Sequence, residues 1–199
     1  MFNKYLLNSL LAFVLFTVSG LASSQDIQEN NLFPRVKFVT GQGEMIVELD
    51  RMRAPLTVDN FLQYVVAGKY DNTIFHRVIE DFVLQGGGFT PDFTEIETFD
   101  PVVNESGNGR QNNFGTIAMA RQRQPHSAES QFYFNVNDND SLNPSSRRWG
   151  YAVFGRVVEN DQLLRELSAV ETHTHEATGY EDVPVESLIL QRVELLPRD

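Results

Sequence analysis

The chain has 199 residues, of which 41% are hydrophobic and 22% charged, enough for one domain with a complete core. A formal net charge of −11 argues against nucleic acid as a partner, because phosphate binding depends on clustered Lys and Arg. Cysteine is absent, which excludes disulfides and thiol chemistry.

The N-terminus differs in kind from the rest. Lys4 precedes an apolar run over 6–18, and small residues follow at Ser19, Gly20, Ala22, Ser23 and Ser24. A positive start, a short apolar run and an Ala-x-Ser ending read as a secretory signal peptide over 1–24. The expected cut follows Ser24, with Ala22 as the alternative. The run is short for a bilayer span, so no stable membrane anchor is expected after cleavage. Residues 25–33 are polar and read as a loose lead-in; the domain is expected over 34–199.

Residues 36–40 and 44–49 alternate in character around Gly41-Gln42-Gly43, a hairpin signal. Pro55 and Thr57 open the next segment and Gly68 closes it. Val58, Phe61, Leu62 and Val65 recur there at helical spacing, which predicts a helix over 57–67. Residues 73–84 predict two strands bent near Glu80-Asp81. Residues 90–115 read as loop, and 116–120 and 130–136 as short strands. Residues 137–148 are polar and turn-rich. Residues 151–158 predict a strand whose internal Gly155 signals a bulge or a close backbone approach. Leu163, Leu164 and Leu167 mark a second short helix after Asn160, and 188–196 predict the last strand. Many short strands and two helices indicate a closed β-barrel or a sandwich with helical caps.

The most informative stretch is 75–89, Phe-His-Arg-Val-Ile-Glu-Asp-Phe-Val-Leu-Gln-Gly-Gly-Gly-Phe. Arg77 sits among aromatic and β-branched neighbours. A guanidinium is costly to bury without partners, so such a run reads as a site rather than plain core. Gly86-Gly87-Gly88 lacks the following Lys-Ser/Thr and helix of a phosphate loop, and reads as backbone clearance beside a groove. Strand alternation places His76 opposite Arg77, as a satisfied core histidine. By the same alternation Gln131 and Tyr133 face one way and Phe132 faces the core. His173-Thr174-His175-Glu176 lacks clear third and fourth metal ligands, and no metal site is expected.

Three blocks carry a resemblance: Phe75 to Ile79 with Gln85 to Phe89, then Gly115 to Ala120, then Ser130 to Tyr133. With Val153-Phe154-Gly155 downstream, the chain resembles the cyclophilin family of peptidyl-prolyl isomerases over about 34–196. The signal peptide and short loops are similar to the bacterial periplasmic branch. The resemblance implies a mainly β fold, a closed eight-stranded antiparallel barrel capped by two α-helices. It implies isomerisation of X-Pro bonds in proline-containing peptides and in unfolded or flexible exported proteins, by a periplasmic monomer with no cofactor.

Carried over by position, Arg77 matches the catalytic arginine. Phe82 and Val83 match residues walling the proline pocket, Tyr133 a second pocket aromatic, and Leu142 its aliphatic floor. Gln85 matches a glutamine near the arginine and the substrate backbone. Ala120 and Gln131 match substrate-contacting positions. Arg121 replaces a common Asn, and Tyr151 falls where bacterial members carry Tyr. Ser141 stands where many members have Trp, which argues against tight cyclosporin binding because a large flat contact is missing. Glu80-Asp81 replaces a usual Pro-Gly. The rival reading is a non-catalytic proline-binding module on the same pocket.

Overall fold

The computed structural model describes residues 26–198, so the signal peptide expected over 1–24 lies outside the described residues. Ten strands and two helices follow in order: β1 Arg35–Thr40, β2 Gly43–Leu49, α1 Pro55–Val66, β3 Thr73–Ile79, β4 Val83–Gly86, β5 Thr116–Met119, β6 Phe132–Asn135, β7 Val153–Glu159, α2 Asp161–Ser168, β8 Thr172–His173, β9 Val183–Pro184 and β10 Leu188–Leu195. Eight of the strands close a barrel in the order β1-β10-β3-β4-β6-β5-β7-β2. Every neighbouring pair is antiparallel. Closure removes the free edges that an open sheet would expose, and it decides between the barrel and the sandwich in favour of the barrel.

The predicted β1–β2 hairpin pairs Thr40 with Gly43 at its turn. Helix α1 starts at Pro55, whose missing N–H costs nothing in the first turn. Its N-terminal donors are met from far along the chain. The Glu105 carboxylate accepts from the backbone N–H and the hydroxyl of Thr57 at 2.8 and 2.7 Å. A carboxylate there also suits the positive end of the helix dipole. Val58, Phe61, Leu62 and Val65 form the buried face, as their spacing predicts. Leu163, Leu164 and Leu167 of α2 enter the same core.

Inside the barrel the core is aromatic. Phe132 meets Phe38, Phe61 and Tyr70 edge-on at 5.3–5.7 Å between centroids, a geometry the ring quadrupoles favour. Gly155 on β7 lies where a Cβ would come within 2.7 Å of the Glu48 carbonyl, and the β5–β7 register shifts between Ile117 and Ala118. Both readings of that glycine hold.

Two features depart from the sequence reading. The lead-in is tied down rather than loose. Arg51, only 6% exposed, donates to the carbonyls of Ile27, Gln28 and Asn31 and to Asp59. Gln28 in turn donates to the Leu196 carbonyl. The second departure is the β8–β9 ribbon, which the sequence reading missed. It carries the loop that runs beside β3, where the Val78 N–H donates to the Asp182 carbonyl at 2.8 Å.

Candidate active site

Strand β3 does not alternate regularly. Phe75 pairs with Gly86 and Arg77 with Gln85, so two residues of β3 stand opposite one of β4. That bulge changes the facing of the residues beyond it. Phe75 and Val78, three apart, both enter the barrel core, and His76 and Arg77 between them border the same hollow. The expectation of a buried histidine holds, at 6% exposed, but His76 neither opposes Arg77 nor has both ring nitrogens satisfied. Both residues line one hollow, and His76 Nδ1 has no hydrogen-bond partner.

His76 is buried against Phe89, edge to face at 4.8 Å. Burial first, and the Arg77 charge second, pull its pKa from 6.5 to about 4, against a smaller opposing effect of the Ile74 carbonyl. Because the folded-state value is the lower one, the unfolded chain takes up the proton first as pH falls. His76 therefore contributes fully above about pH 6.5 and loses its contribution toward pH 4, by about 2–4 kcal/mol. Urea unfolding of the wild type and His76→Gln should show the wild type losing stability relative to the variant over that window. Parallel curves would deny a buried neutral histidine.

Arg77 is 40% exposed in its side chain, and its Nε lies 3.4 Å from Asp182 Oδ2. Its terminal nitrogens make no hydrogen bond among the described residues, so their N–H groups stay available. Gln85, expected beside the arginine, lies opposite it in register. Its amide, however, donates to Gln131 Oε1 at 2.9 Å. Asp182 is the residue the sequence reading missed. It lies more than a hundred positions downstream, and it reads from the sequence as one more surface acid.

Strands β4 and β6 alternate regularly. Leu84, Phe132 and Phe134 point into the core. Val83 and Tyr133 point out, into a separate apolar cluster with Ala118 and Val153; Phe82, Ala120, Leu142 and Tyr151 pack against it. The expected pocket residues thus come together on the outer face of the barrel. Tyr133 is buried, and its hydroxyl donates to Asn112 Oδ1 at 2.8 Å. Burial pushes that phenol well above its usual range. Asn112 belongs to a buried amide network the sequence reading missed. Asn135 donates to it, Asn139 joins Asn135 and the Phe82 carbonyl, and Asn143 accepts from Asn112. The network ties the turn-rich 137–148 segment, and with it Leu142, to the pocket.

Gln131 is seated by Gly88, where a Cβ would come within 2.6 Å of its side chain. Gly87 sits at φ +78°, a conformation that favours glycine. Gly88 therefore gives clearance beside the groove, as read from the sequence, while Gly86 and Gly87 clear the core rings of Phe75 and Phe132. The Ala120 N–H donates to the Gln131 carbonyl at 2.9 Å. Arg121 lies over the Tyr151 ring at 4.6 Å and donates to the carbonyls of Gly150 and Trp149. It braces the rim by joining two loops. A polar crevice of about 240 Å³ between Gln131, Glu95 and Thr98 continues the face on one side of Gln131. A separate cavity of about 510 Å³ shares only Val153 with the apolar cluster.

The paired histidines have other occupations. His175 stacks on Phe93 at 4.3 Å and contacts Thr178 Oγ1 at 2.9 Å. Among the described residues no three His, Cys, Asp or Glu side chains gather as a metal ion would need.

An open face of this kind, apolar in the middle and lined by amides and one arginine, suits an extended peptide rather than an enclosed small molecule. It marks a β-barrel that handles polypeptide. Residues 35–194 match the family model described as cyclophilin type peptidyl-prolyl cis-trans isomerase/CLD. Among relatives, the peptidyl-prolyl cis-trans isomerase cyp18 of Streptomyces antibioticus is 47% identical over 164 residues, 81% of this chain and 98% of its own. The peptidyl-prolyl cis-trans isomerase B of Escherichia coli is 44% identical, covering 79% and 97%. A solved Cryptosporidium parvum cyclophilin-type isomerase superposes with a TM-score of 0.67, covering 84% of this chain and 99% of its own. At 24% identity that likeness concerns the fold alone. The chain belongs to the cyclophilin-type peptidyl-prolyl cis-trans isomerases.

Proposed function

We propose that this isomerase acts on X-Pro bonds of exported, unfolded or flexible proteins, with Arg77 as the catalytic donor. The observation that carries the assignment is the pair of terminal Arg77 nitrogens, without hydrogen bonds among the described residues, on the face that holds the apolar cluster.

Amide resonance sets a barrier of about 18–20 kcal/mol and makes the uncatalysed change take tens to hundreds of seconds. Twisting the bond breaks that resonance and returns a lone pair to the prolyl nitrogen. A guanidinium donating there, or to the adjacent carbonyl, favours the twisted form over both planar ones. Arg suits the role because it stays charged and presents several donors in a fixed fork. The step needs no proton transfer, nucleophile or metal. Phe82, Val83, Tyr133 and Leu142 hold the proline ring in the dry pocket. Gln85, Gln131 and Ala120 hold the peptide backbone while the other half rotates. Arg121 and Tyr151 shape the rim. Isomerisation of a short X-Pro peptide by the purified mature chain, wild type against Arg77 variants, tests the assignment.

The apolar run over 6–18 and the Ala-x-Ser ending support export to the periplasm, where the mature chain works as a monomer. The recovered protein should begin at Gln25 by intact mass. A periplasmic fraction devoid of the chain would overturn this location.

A further inference from the structure

Beside Arg77, away from the apolar cluster, lies a hollow of about 500 Å³ lined by His76, Phe89, Tyr180, Glu181 and Asp182. Arg77 and Gln131 border it too, so it is continuous with the proposed proline site. We propose that this hollow binds a lysine or arginine side chain of the substrate, at a position flanking the proline. The proposal rests on the isomerase reading and adds a substrate preference to it.

Four observations point to a cation. The first is charge. Asp182 is matched by Arg77 at 3.4 Å, while Glu181 is exposed and makes no ion pair among the described residues. The hollow therefore keeps one net negative charge at neutral pH, with His76 uncharged there. The second is the wall. Tyr180 is 42% exposed and packs on Phe89 at 5.7 Å, so aromatic surface is available to an ammonium or guanidinium. The third is His76, 6% exposed, whose Nδ1 has no hydrogen-bond partner. Its neutral imidazole adds no positive charge to the wall that would oppose an entering cation.

The fourth is rigidity. The 173–182 loop is pinned by an aromatic group in which Phe93 stacks on His175 at 4.3 Å and Phe89 and Tyr180 pack beside them. The Val78 N–H to Asp182 carbonyl bond fastens its other end to β3. A wall fixed before binding loses little freedom on binding.

The experiment uses the mature chain and a set of X-Pro peptides in which Lys, Gln or Glu occupies each flanking position in turn. At one position the Lys peptide should have kcat/KM about three- to tenfold above the Gln peptide, with Glu below both. Raising the salt from about 0.05 M to about 0.5 M should compress that ratio. In Glu181→Gln the Lys-to-Gln ratio should fall below about twofold; reading a ratio cancels any general change of rate. Equal rates for the three peptides at every position would overturn the subsite and leave the isomerase reading standing. A Lys preference that survives Glu181→Gln would do the same. Failure to isomerise any peptide would instead remove the reading on which the subsite rests.

Discussion

Replacing Arg77 with Ala should lower kcat/KM on an X-Pro peptide by about 100- to 1,000-fold, the usual cost of removing one preorganised donor. The loss should fall mainly on kcat, because the donor is used when the bond is twisted and much less in either planar form. Arg77→Lys keeps the charge but loses the fork, and should recover only part of the rate. Neither change should move the urea midpoint by much. The side chain is 40% exposed and its ion pair with Asp182 is partly solvated, a class of contact worth at most about 1 kcal/mol. The assay is cis–trans relaxation of the peptide, with unfolding curves on the same samples. Equal kcat/KM for wild type and Arg77→Ala would remove the arginine from the mechanism.

Phe132→Ala should cost about 3–5 kcal/mol of stability, the range for an aromatic ring deleted from a core. The ring is fully buried and lies within 6.3 Å, centroid to centroid, of Phe38, Phe61, Tyr70, Phe75 and Phe134. Its removal leaves a hole that several strands would have to collapse to fill. Its neighbour Tyr133 faces the other way, and Tyr133→Phe removes only the hydroxyl bond to Asn112, worth about 1 kcal/mol. Urea midpoints for the two variants should therefore differ widely. A Phe132→Ala cost below about 1 kcal/mol would mean that the ring does not sit where five others meet.

That pair shows how far alternation could be read from the sequence. On β4 and β6 the strands are regular, so period-two facing holds. Leu84, Phe132 and Phe134 go inward, while Val83 and Tyr133 go outward to the pocket. On β3 the same rule fails at His76, because a bulge inserts one residue between Phe75 and Arg77. Nothing in Phe-His-Arg-Val marks that bulge. It shows only in which partner each residue meets across the strand pair. The Asn112, Asn135, Asn139 and Asn143 network was hidden for a related reason. Asparagines in a polar segment read as turn residues, and only the packed pocket shows that their amides satisfy one another and Tyr133.

The sequence by itself determined the family, the run of β1 to β7 and the two helices, and the shared facing of Gln131 and Tyr133 opposite Phe132. These rest on local periodicity and on block order, which are properties of the chain read in one dimension. Only the tertiary structure decided that His76 shares the arginine's side, and that Asp182 is the ionic partner of Arg77. The reason is that two-residue strands such as β8 and β9 carry no periodicity. A bulge and a long-range ion pair are fixed by register between segments far apart in sequence.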